Sequence, residues 1–294
     1  MSASPEILRG VRVMQAWSRA GRAAGKRIAL VPTMGNLHEG HLSLIRLAQA
    51  ECPLTIVSSF VNPTQFGPGE DYASYPRTWD ADLAKLSALG VDAVFAPTVE
   101  EIYPPGDRTR VVLGWGTDKL CGAFRPGHFD GVSTVVAKLF GATQPDRAYF
   151  GQKDAQQALI LRRMTEMLCY PLELRLGPTL READGLALSS RNIYLSPEER
   201  RRASALFAAL ESAGSALLSG ERDAGKLEAL GATALSELEL EYFSVVDPKI
   251  LERPERLRDG LVLMACAARV GPARLIDNHV YRIEGERAEE AALF

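Results

Sequence analysis

Residues 28–51 of the 294-residue chain read IALVPTMGNLHEGHLSLIRLAQAE, an apolar run, a polar turn and a second apolar segment. The run IALVP is short and unbroken, as expected of a strand buried on both faces of a parallel sheet. Residues 42–51 repeat apolar side chains at helical spacing, which predicts a helix. A strand, a turn and a helix in this order begin a strand–helix–strand unit, so the stretch predicts a parallel α/β sheet.

The same alternation extends on both sides of this stretch. Apolar residues at helical spacing predict an opening helix over about residues 5–24. Further strands are predicted at 54–61, 91–96 and 147–150, and further helices at about 78–89, 130–142 and 153–168. This order predicts a domain over residues 1–177 with a parallel sheet and helices on both faces, and such sheets bind ligands beyond the carboxyl ends of their strands.

The pattern changes after residue 177. Two helices are predicted, over 197–219 and about 223–240, followed by strands at 241–247, 261–270 and 273–282. Helices that precede a group of strands indicate a separate, smaller α+β domain over residues 178–294. We expect this domain to act as a lid on the first.

Composition excludes several classes of protein. The formal net charge is −3, whereas proteins that bind nucleic acid carry a basic surface. The four cysteines are far apart in sequence, which argues against a zinc knuckle or a CxxC redox motif. The N-terminus lacks the pattern of a signal peptide, and apolar windows such as 261–270 are about half as long as a membrane span. We expect a cytoplasmic enzyme that binds neither nucleic acid nor membrane.

The polar turn after the first strand, residues 32–41, carries the first candidate site. Its two glycines let the backbone approach a ligand, and a turn between strand and helix presents N–H groups to phosphate. His38 and His41 are three residues apart, so both rings project from one side of the first helical turn. Such rings donate hydrogen bonds to phosphate oxygens. A metal site that also uses His128 is an alternative, although the histidines of HExxH proteases are four apart.

A long irregular segment, residues 61–77, follows the second predicted strand. A loop of this length inside a domain is usually functional or disordered. Because the segment leaves the carboxyl end of a strand, we interpret it as a lid over the ligand site rather than as a surface excursion. Its amides can bind hydroxyl and carboxylate groups.

Two further segments carry groups suited to a polyphosphate. In GQKD, residues 151–154, the lysine supplies a compact positive charge and the aspartate accepts from ribose hydroxyls or helps to hold magnesium. In LSSR, residues 188–191, two hydroxyls precede a guanidinium. Each segment also has a structural interpretation. Asp154 of GQKD could be a capping charge at a helix N-terminus, and LSSR could be a polar hairpin ahead of a helix that begins near Ser196.

Six segments together resemble one known family: PTMGNLHEGH, FVNPTQFG, YPRT, FRPGHFDGV, YFGQKDAQQ and READGLALSSRN. Their order and spacing are similar to those of the pantothenate synthetases (pantoate–beta-alanine ligases), members of the HxGH nucleotidyl-transferase superfamily. The resemblance is dense from about residue 28 to 195 and looser beyond. It implies a Rossmann-like domain, a smaller C-terminal domain and a homodimer.

The resemblance implies an enzyme that uses ATP and Mg²⁺ to join pantoate to beta-alanine through pantoyl adenylate, with release of pyrophosphate and AMP. The implied catalytic residues are His38, His41, Lys153 and Arg191. The implied ATP-binding residues are Met34, Gly35, His38, His41, Gly151, Gln152, Lys153, Asp154, Leu180, Leu188, Ser189, Ser190 and Arg191. The implied pantoate and beta-alanine residues are Gln65, Gln157, Asn62 and Tyr75.

Individual roles also follow from the resemblance. His38 would take the acid role, Leu180 and Leu188 would flank adenine, and residues 189–191 would act like the mobile KMSKS loop of class I aminoacyl-tRNA synthetases. Some members of the family place adjacent carboxylates that bind magnesium where this chain has Ala81-Asp82, so Asp82 is the candidate metal ligand and the offset Asp80 is the alternative.

Two functions from other classes remain open at this point. One is a metal-dependent hydrolase built on the histidines, and the other is a nucleotide-binding regulator without catalysis. A tRNA synthetase is disfavoured by the acidic charge.

Overall fold

The structure, a computed structural model, describes residues 4–294, which form two compact units. The first unit comprises the chain up to Thr117 together with Arg125–Gly151 and Gln157–Gly177. The second unit comprises Asp118–Phe124, Gln152–Gln156 and Pro178–Phe294. Two short segments that precede residue 177 in sequence are therefore grouped with the C-terminal part of the chain.

Strands and helices alternate along the first 177 residues. In chain order they are β1 (Glu6–Leu8), α1 (Val11–Ala23), β2 (Ile28–Thr33), α2 (Glu39–Glu51), β3 (Leu54–Ser59), α3 (Trp79–Ala88), β4 (Ala93–Phe95), α4 (Val99–Ile102), α5 (Cys121–Phe124), α6 (His128–Thr143), β5 (Arg147–Gly151), α7 (Ala155–Met167) and β6 (Glu173–Gly177). The strands form one parallel sheet in the order β1-β4-β3-β2-β5-β6. The predicted Rossmann-like α/β fold is confirmed.

The sheet is buried on both faces. Ile28 and Leu30 of β2 pack with α1, α6 and α7 on one face, whereas Ala29 and Val31 pack with α2 and α3 on the other. This alternation explains why the strand is apolar at every position. Strand order reverses between β2 and β5, and the carboxyl ends of these two neighbours form the switch point at which such sheets bind ligands.

The second unit contains α8 (Pro197–Ala203), α9 (Ala205–Leu218), α10 (Ala224–Ala234) and the strands β7 (Glu239–Val246), β8 (Gly260–Val270), β9 (Ala273–Glu284) and β10 (Arg287–Glu290). The strands form an antiparallel sheet in the order β10-β9-β8-β7. Val262, Met264 and Cys266, at alternate positions of β8, share a core with leucines of α9 and α10. The predicted smaller α+β domain is confirmed in its class.

Three predicted helices differ from the structure. Residues 6–8 form β1, which pairs in parallel with β4, and helix α1 begins only after Gly10. The predicted helix 197–219 is divided at Ser204, whose hydroxyl donates to the Arg201 carbonyl and competes with the helical hydrogen bond. The predicted helix 223–240 ends at Ala234, because Glu239 and Leu240 already pair in β7. Within residues 4–294, no helix combines the length and apolar character needed to cross a bilayer.

Candidate active site

The loop between β2 and α2 leaves the sheet at the switch point. Gly35 has φ +81° and the next residue, Asn36, has φ 50°. Both values lie in the left-handed region, which glycine adopts freely and asparagine tolerates better than most residues. The resulting turn directs the successive N–H groups of Asn36 and Leu37 to one carboxylate, that of Asp82 on α3.

The N–H groups of this turn are taken by protein acceptors. The N–H of Gly35 donates to Thr33 Oγ1 at 3.2 Å, and those of Asn36 and Leu37 donate to the two oxygens of Asp82, each at 2.8 Å. The expectation that the turn presents its N–H groups to phosphate is therefore wrong for these three residues. Any hydrogen bonds from this turn to a ligand have to come from its other groups, the side chains of His38 and His41 above all.

The two histidines are held by reciprocal bonds at the start of α2. His38 is the N-cap, and its Nδ1 accepts from the N–H of Gly40 at 3.2 Å. The Nδ1 of His41 accepts from the N–H of His38, also at 3.2 Å, and the ring centroids are 4.1 Å apart. A neutral imidazole that accepts at Nδ1 carries its proton at Nε2. Both rings are therefore Nε2–H donors.

This tautomer opposes the metal-hydrolase alternative. A histidine that binds a metal through Nε2 donates Nδ1–H to an acceptor, whereas here Nδ1 faces an N–H donor in both rings. The Nδ1 of His128 bonds to the carbonyl oxygen of Gln65 and its Nε2 to Arg125, so both ring nitrogens are used. Within the described chain, the side chains close enough to share a metal ion are Glu211, His279 and Glu290 of the second unit.

Gln65 lies on a 3₁₀ turn, Pro63–Gln65, that begins segment 61–77. Its Oε1 accepts from Asn62 Nδ2 at 3.0 Å, and its Nε2 lies 3.2 Å from the sulfur of Met34. The structure thus brings together Met34, predicted to bind ATP, and Asn62 and Gln65, predicted to bind pantoate or beta-alanine. Asn62 is 1% exposed and also bonds to the Gly131 carbonyl, Thr64 and Tyr103. Its side chain serves to hold Gln65.

The 3₁₀ turn is held from helix α6 as well. A Cβ added to Gly131 of α6 would lie 2.2 Å from the Thr64 carbonyl oxygen, so only glycine allows this approach. Ahead of α6, Arg125 donates to both oxygens of Glu70 and to the Gln65 carbonyl. Burial pushes the pKa of Glu70 upward, but the hydrogen bond and charge of Arg125 outweigh it and leave the pKa below its ordinary value. Glu70 is therefore ionised at neutral pH and pairs with Arg125.

The other two predicted acid-binding residues differ in environment. Tyr75 is 5% exposed, and its ring packs edge-on against Phe66 at 5.9 Å. Gln157 is half-buried in the first turns of α7. Its neighbour Gln156 is buried and bonds to the backbone of Lys119 and Cys121, which the sequence did not predict.

In the second unit, the GQKD motif contains a 3₁₀ turn, Gln152–Asp154. Its carbonyls at Gln152 and Lys153 both accept from Asn278 Nδ2, at 3.0 and 2.8 Å. Asn278 is 3% exposed on β9, and the preceding Asp277 accepts both terminal nitrogens of Arg181. Sequence reasoning missed Asn278, although the adjacent polar residues Asp277 and Asn278, directly after the apolar pair Leu275-Ile276, were a signal for it.

The LSSR motif follows a short two-stranded ribbon. Arg181 pairs with Ala187, and the N–H of Leu188 donates to the Leu180 carbonyl at 2.9 Å, so the two predicted adenine-flanking leucines are neighbours. Ser189 caps the 3₁₀ turn Ser190–Tyr194 by accepting from the N–H of Arg191 at 3.2 Å. The segment therefore contains the polar hairpin of the structural interpretation. The phosphate-binding role of Ser189, Ser190 and Arg191 stays a prediction.

Comparison with known proteins assigns this arrangement. The sequence model of the family described as pantoate-beta-alanine ligase matches residues 6–280. The chain belongs to the pantoate-beta-alanine ligase family. This ligase is 50% identical over 281 residues to the pantothenate synthetase of Moorella thermoacetica, which covers 95% of this chain and 99% of the relative. It is 54% identical over 262 residues to that of Acidobacterium capsulatum, covering 88% and 87% of the two chains.

Solved structures of the pantoate-beta-alanine ligase family share the fold. The pantothenate synthetase of Thermus thermophilus superposes with a TM-score of 0.86 at 46% identity, covering 93% of this chain and 98% of its own. The ligase of Francisella tularensis, crystallised with beta-gamma ATP and beta-alanine, has a TM-score of 0.77 at 32% identity, covering 93% and 97%. The family resemblance seen in the motifs is confirmed.

Proposed function

We propose that this ligase condenses pantoate with beta-alanine through a pantoyl-adenylate intermediate, with ATP as the activating substrate. The observation that carries the proposal is the paired orientation of His38 and His41. Both rings are Nε2–H donors on the first turn of α2, at the switch point of a parallel sheet. Two fixed donors suit the triphosphate of ATP, and the relative from Francisella tularensis was crystallised with a form of ATP and with beta-alanine.

In the first step, a carboxylate oxygen of pantoate attacks the α-phosphorus of ATP, and the bond from that phosphorus to the bridging oxygen breaks. Pyrophosphate leaves with the electron pair, so negative charge grows on its oxygens. Donors fixed in advance stabilise such charge without reorganising. We assign this role to His38, His41, Lys153 and Arg191, the last two by family resemblance together with their donor chemistry.

Pantoate is bound by Gln65 and Gln157 in this proposal. A primary amide both donates and accepts, and therefore suits a ligand with hydroxyl and carboxylate groups. Asn62 acts through Gln65, because its own amide is taken by Gln65, Gly131, Thr64 and Tyr103. Tyr75 packs against Phe66 within segment 61–77 and thereby stabilises the fold of that segment.

In the second step, the amine of beta-alanine attacks the acyl carbon of pantoyl adenylate. The bond between that carbon and the phosphate oxygen breaks, AMP leaves, and the amine loses a proton. Water would hydrolyse the adenylate, so closure of segment 61–77 would protect it. Met34, Gly35 and residues 151–154 would line the nucleotide site, Leu180 and Leu188 would flank the adenine, and Ser189, Ser190 and Arg191 would close on the phosphates.

Magnesium enters with ATP as the metal–nucleotide substrate in this proposal. Asp82, the residue predicted from the sequence to bind it, is poorly suited to the role, because three of the roughly four lone-pair positions of its carboxylate already accept hydrogen bonds. We also propose a cytoplasmic homodimer, as the family resemblance implies. Light scattering of the purified chain tests the dimer, and a monomeric mass at micromolar concentration would contradict it.

Pantoate-dependent exchange of labelled pyrophosphate into ATP tests the function directly. We expect exchange with pantoate and ATP alone, and formation of pantothenate and AMP once beta-alanine is added. A folded protein that binds ATP without exchange would instead be a regulator. Activity lost to a chelator and restored by zinc without magnesium would favour the hydrolase and overturn the proposal.

A further inference from the structure

We propose that Asp82 is a positioning residue for the catalytic histidines and not a ligand of magnesium. The proposal rests on the proposed function for its kinetic part only. Asp82 lies on the first turns of α3 and is 3% exposed. What it contacts is the loop that ends at His38.

The Asp82 carboxylate is engaged by three donors. Oδ1 accepts from the N–H of Leu37 at 2.8 Å, while Oδ2 accepts from the N–H of Asn36 at 2.8 Å and from Thr78 Oγ1 at 3.0 Å. Magnesium needs near-octahedral oxygen ligands at about 2.0–2.1 Å. A cation at that distance would compete with N–H groups that carry positive partial charge on the same oxygens. The carboxylate therefore fills the concave backbone turn that would otherwise attract an anion.

A second side chain of α3 holds the next peptide group. Lys85 Nζ donates to the Leu37 carbonyl at 2.5 Å. Asp82 and Lys85 are three residues apart and so share one face of the helix. Together they hold the peptide groups on both sides of Leu37, whose own side chain is buried. The direction in which the chain enters His38 is thus determined by α3.

The peptide group between Leu37 and His38 links Lys85 to the second histidine. Its oxygen accepts from the lysine, and its N–H donates to Nδ1 of His41. A charged donor on the oxygen polarises the peptide and strengthens its N–H bond, because hydrogen bonds in a chain reinforce one another. A stronger bond at Nδ1 withdraws electron density from the ring and makes Nε2–H a better donor. Lys85 therefore both aims His41 and strengthens its hydrogen bond to phosphate.

Asp82 also connects the loop to segment 61–77. Thr78, which directly follows that segment, donates to the same oxygen as Asn36. A Cβ added to Gly35 would lie 3.3 Å from this oxygen, so the loop approaches the carboxylate closely. One buried carboxylate thereby fixes the histidine loop and the end of the segment proposed to close over the substrates.

The test compares Asp82→Asn with Glu100→Gln, which removes one negative charge from an exposed position outside α3. In either orientation, the amide of Asp82→Asn turns an NH₂ group towards an N–H that now lacks its acceptor. We expect amide hydrogen exchange to become at least ~10-fold faster at whichever of Asn36 and Leu37 faces the NH₂ group, since that N–H loses its hydrogen bond. The kcat of pyrophosphate exchange should fall about 100-fold with a smaller change in the KM for ATP, the usual effect of misplaced catalytic groups.

Magnesium dependence separates the two roles of Asp82. At fixed ATP, the magnesium concentration that gives half the maximal rate should be the same in Asp82→Asn, Glu100→Gln and wild type. A higher half-saturating concentration in Asp82→Asn, with the rate restored by excess magnesium, would show that Asp82 is a metal ligand and overturn the proposal. If the wild type shows no pyrophosphate exchange, the proposed function fails. Amide hydrogen exchange still reports whether Asp82 and Lys85 hold the loop that ends at His38.

Lys85 supplies a second variant that places no new group in the core. We expect Lys85→Met to lower kcat about 10-fold, the scale of one charged hydrogen bond, and Lys85→Arg to recover part of it. Lys26→Met, at an exposed lysine, serves as the control. Wild-type kcat in Lys85→Met together with unchanged amide hydrogen exchange in Asp82→Asn would refute the positioning role of Asp82 and Lys85.

Discussion

The backbone N–H of His38 donates to Nδ1 of His41 at 3.2 Å. This bond explains the spacing of the His-x-Gly-His motif, because a ring three residues along can reach back to the N-cap only on the first turn of a helix. It also determines the tautomer of His41 and thereby the atom that faces a ligand.

Replacing His41 with asparagine separates the two functions of the ring. The carbonyl oxygen of Asn lies about where Nδ1 was, so His41→Asn keeps an acceptor for the His38 N–H but has no donor in place of Nε2. We expect pyrophosphate exchange to fall by about 10²–10³ with little change in the unfolding midpoint. His41→Ala should in addition lose about 1 kcal/mol of stability, the usual value of a cap. Near-normal exchange in His41→Asn would refute the donor role.

Lys153→Ala tests the charge assigned to the GQKD turn. Loss of a donor to developing charge should remove at least ~2–4 kcal/mol of transition-state stabilisation, measured as the ratio of kcat/KM values. Lys26→Ala, at an exposed loop position, is the control and should leave kcat/KM unchanged. Similar turnover in the two variants would show that Lys153 has another role.

Gly131→Ala tests whether α6 positions Gln65. The added methyl would lie 2.2 Å from the Thr64 carbonyl oxygen and 2.8 Å from Cα of Gln65, so the 3₁₀ turn has to move. We expect the KM for pantoate to rise about 10-fold or more, with a loss of stability typical of overpacking, about 1–3 kcal/mol. Gly141→Ala on the same helix meets no atom within 4 Å and should be neutral or stabilising. Equal KM values in the two variants would contradict the assignment of Gln65.

His279 should make the second unit less stable in mild acid. Burial, followed by the charge of Arg181, lowers its pKa, although Asp277, Glu211 and Glu290 act in the opposite direction. The unfolded chain takes up a proton below about pH 6.5, whereas the folded chain does so only at lower pH. The contribution of neutral His279 to the free energy of unfolding is therefore fully present above about pH 6.5 and is lost as the pH falls through the lowered pKa.

We therefore expect the urea midpoint of the wild type to fall more between pH 7.5 and 5.5 than that of His279→Gln, which does not titrate. Parallel pH profiles would show that the imidazole takes up its proton equally in both states.

Local pattern predicted the centre of the fold and missed its edges. Strand β2 and helix α2 were found because their apolar periods are unambiguous. Strand β1 was missed because Ile7 and Leu8 also fit the helical spacing of the following residues, and only pairing with β4 makes them a strand. Strand β6 was missed because its Glu173 and Arg175 interrupt the apolar run at the edge of the sheet.

Motifs identified the family and the histidines, but long-range partners determine what each side chain does. Asp82 lies 46 positions from Asn36, and from the sequence it was interpreted as a metal ligand. Asn278 lies 126 positions from Gln152 and had no motif of its own. Contacts between residues so far apart in sequence form only when the strands have assembled into sheets, and local sequence patterns do not predict them.

The tautomer of the two histidines has a consequence for inhibitor design. Chelating groups such as hydroxamates would need a metal ion bound to the imidazole nitrogens. Neither ring can bind such an ion through Nε2, because that nitrogen carries the proton. Compounds that place a sulfonyl, phosphonate or carboxylate oxygen against His38 and His41 meet two preset donors instead. We expect acyl-sulfamate mimics of the adenylate to bind, and matched compounds with an NH group at that position to lose affinity.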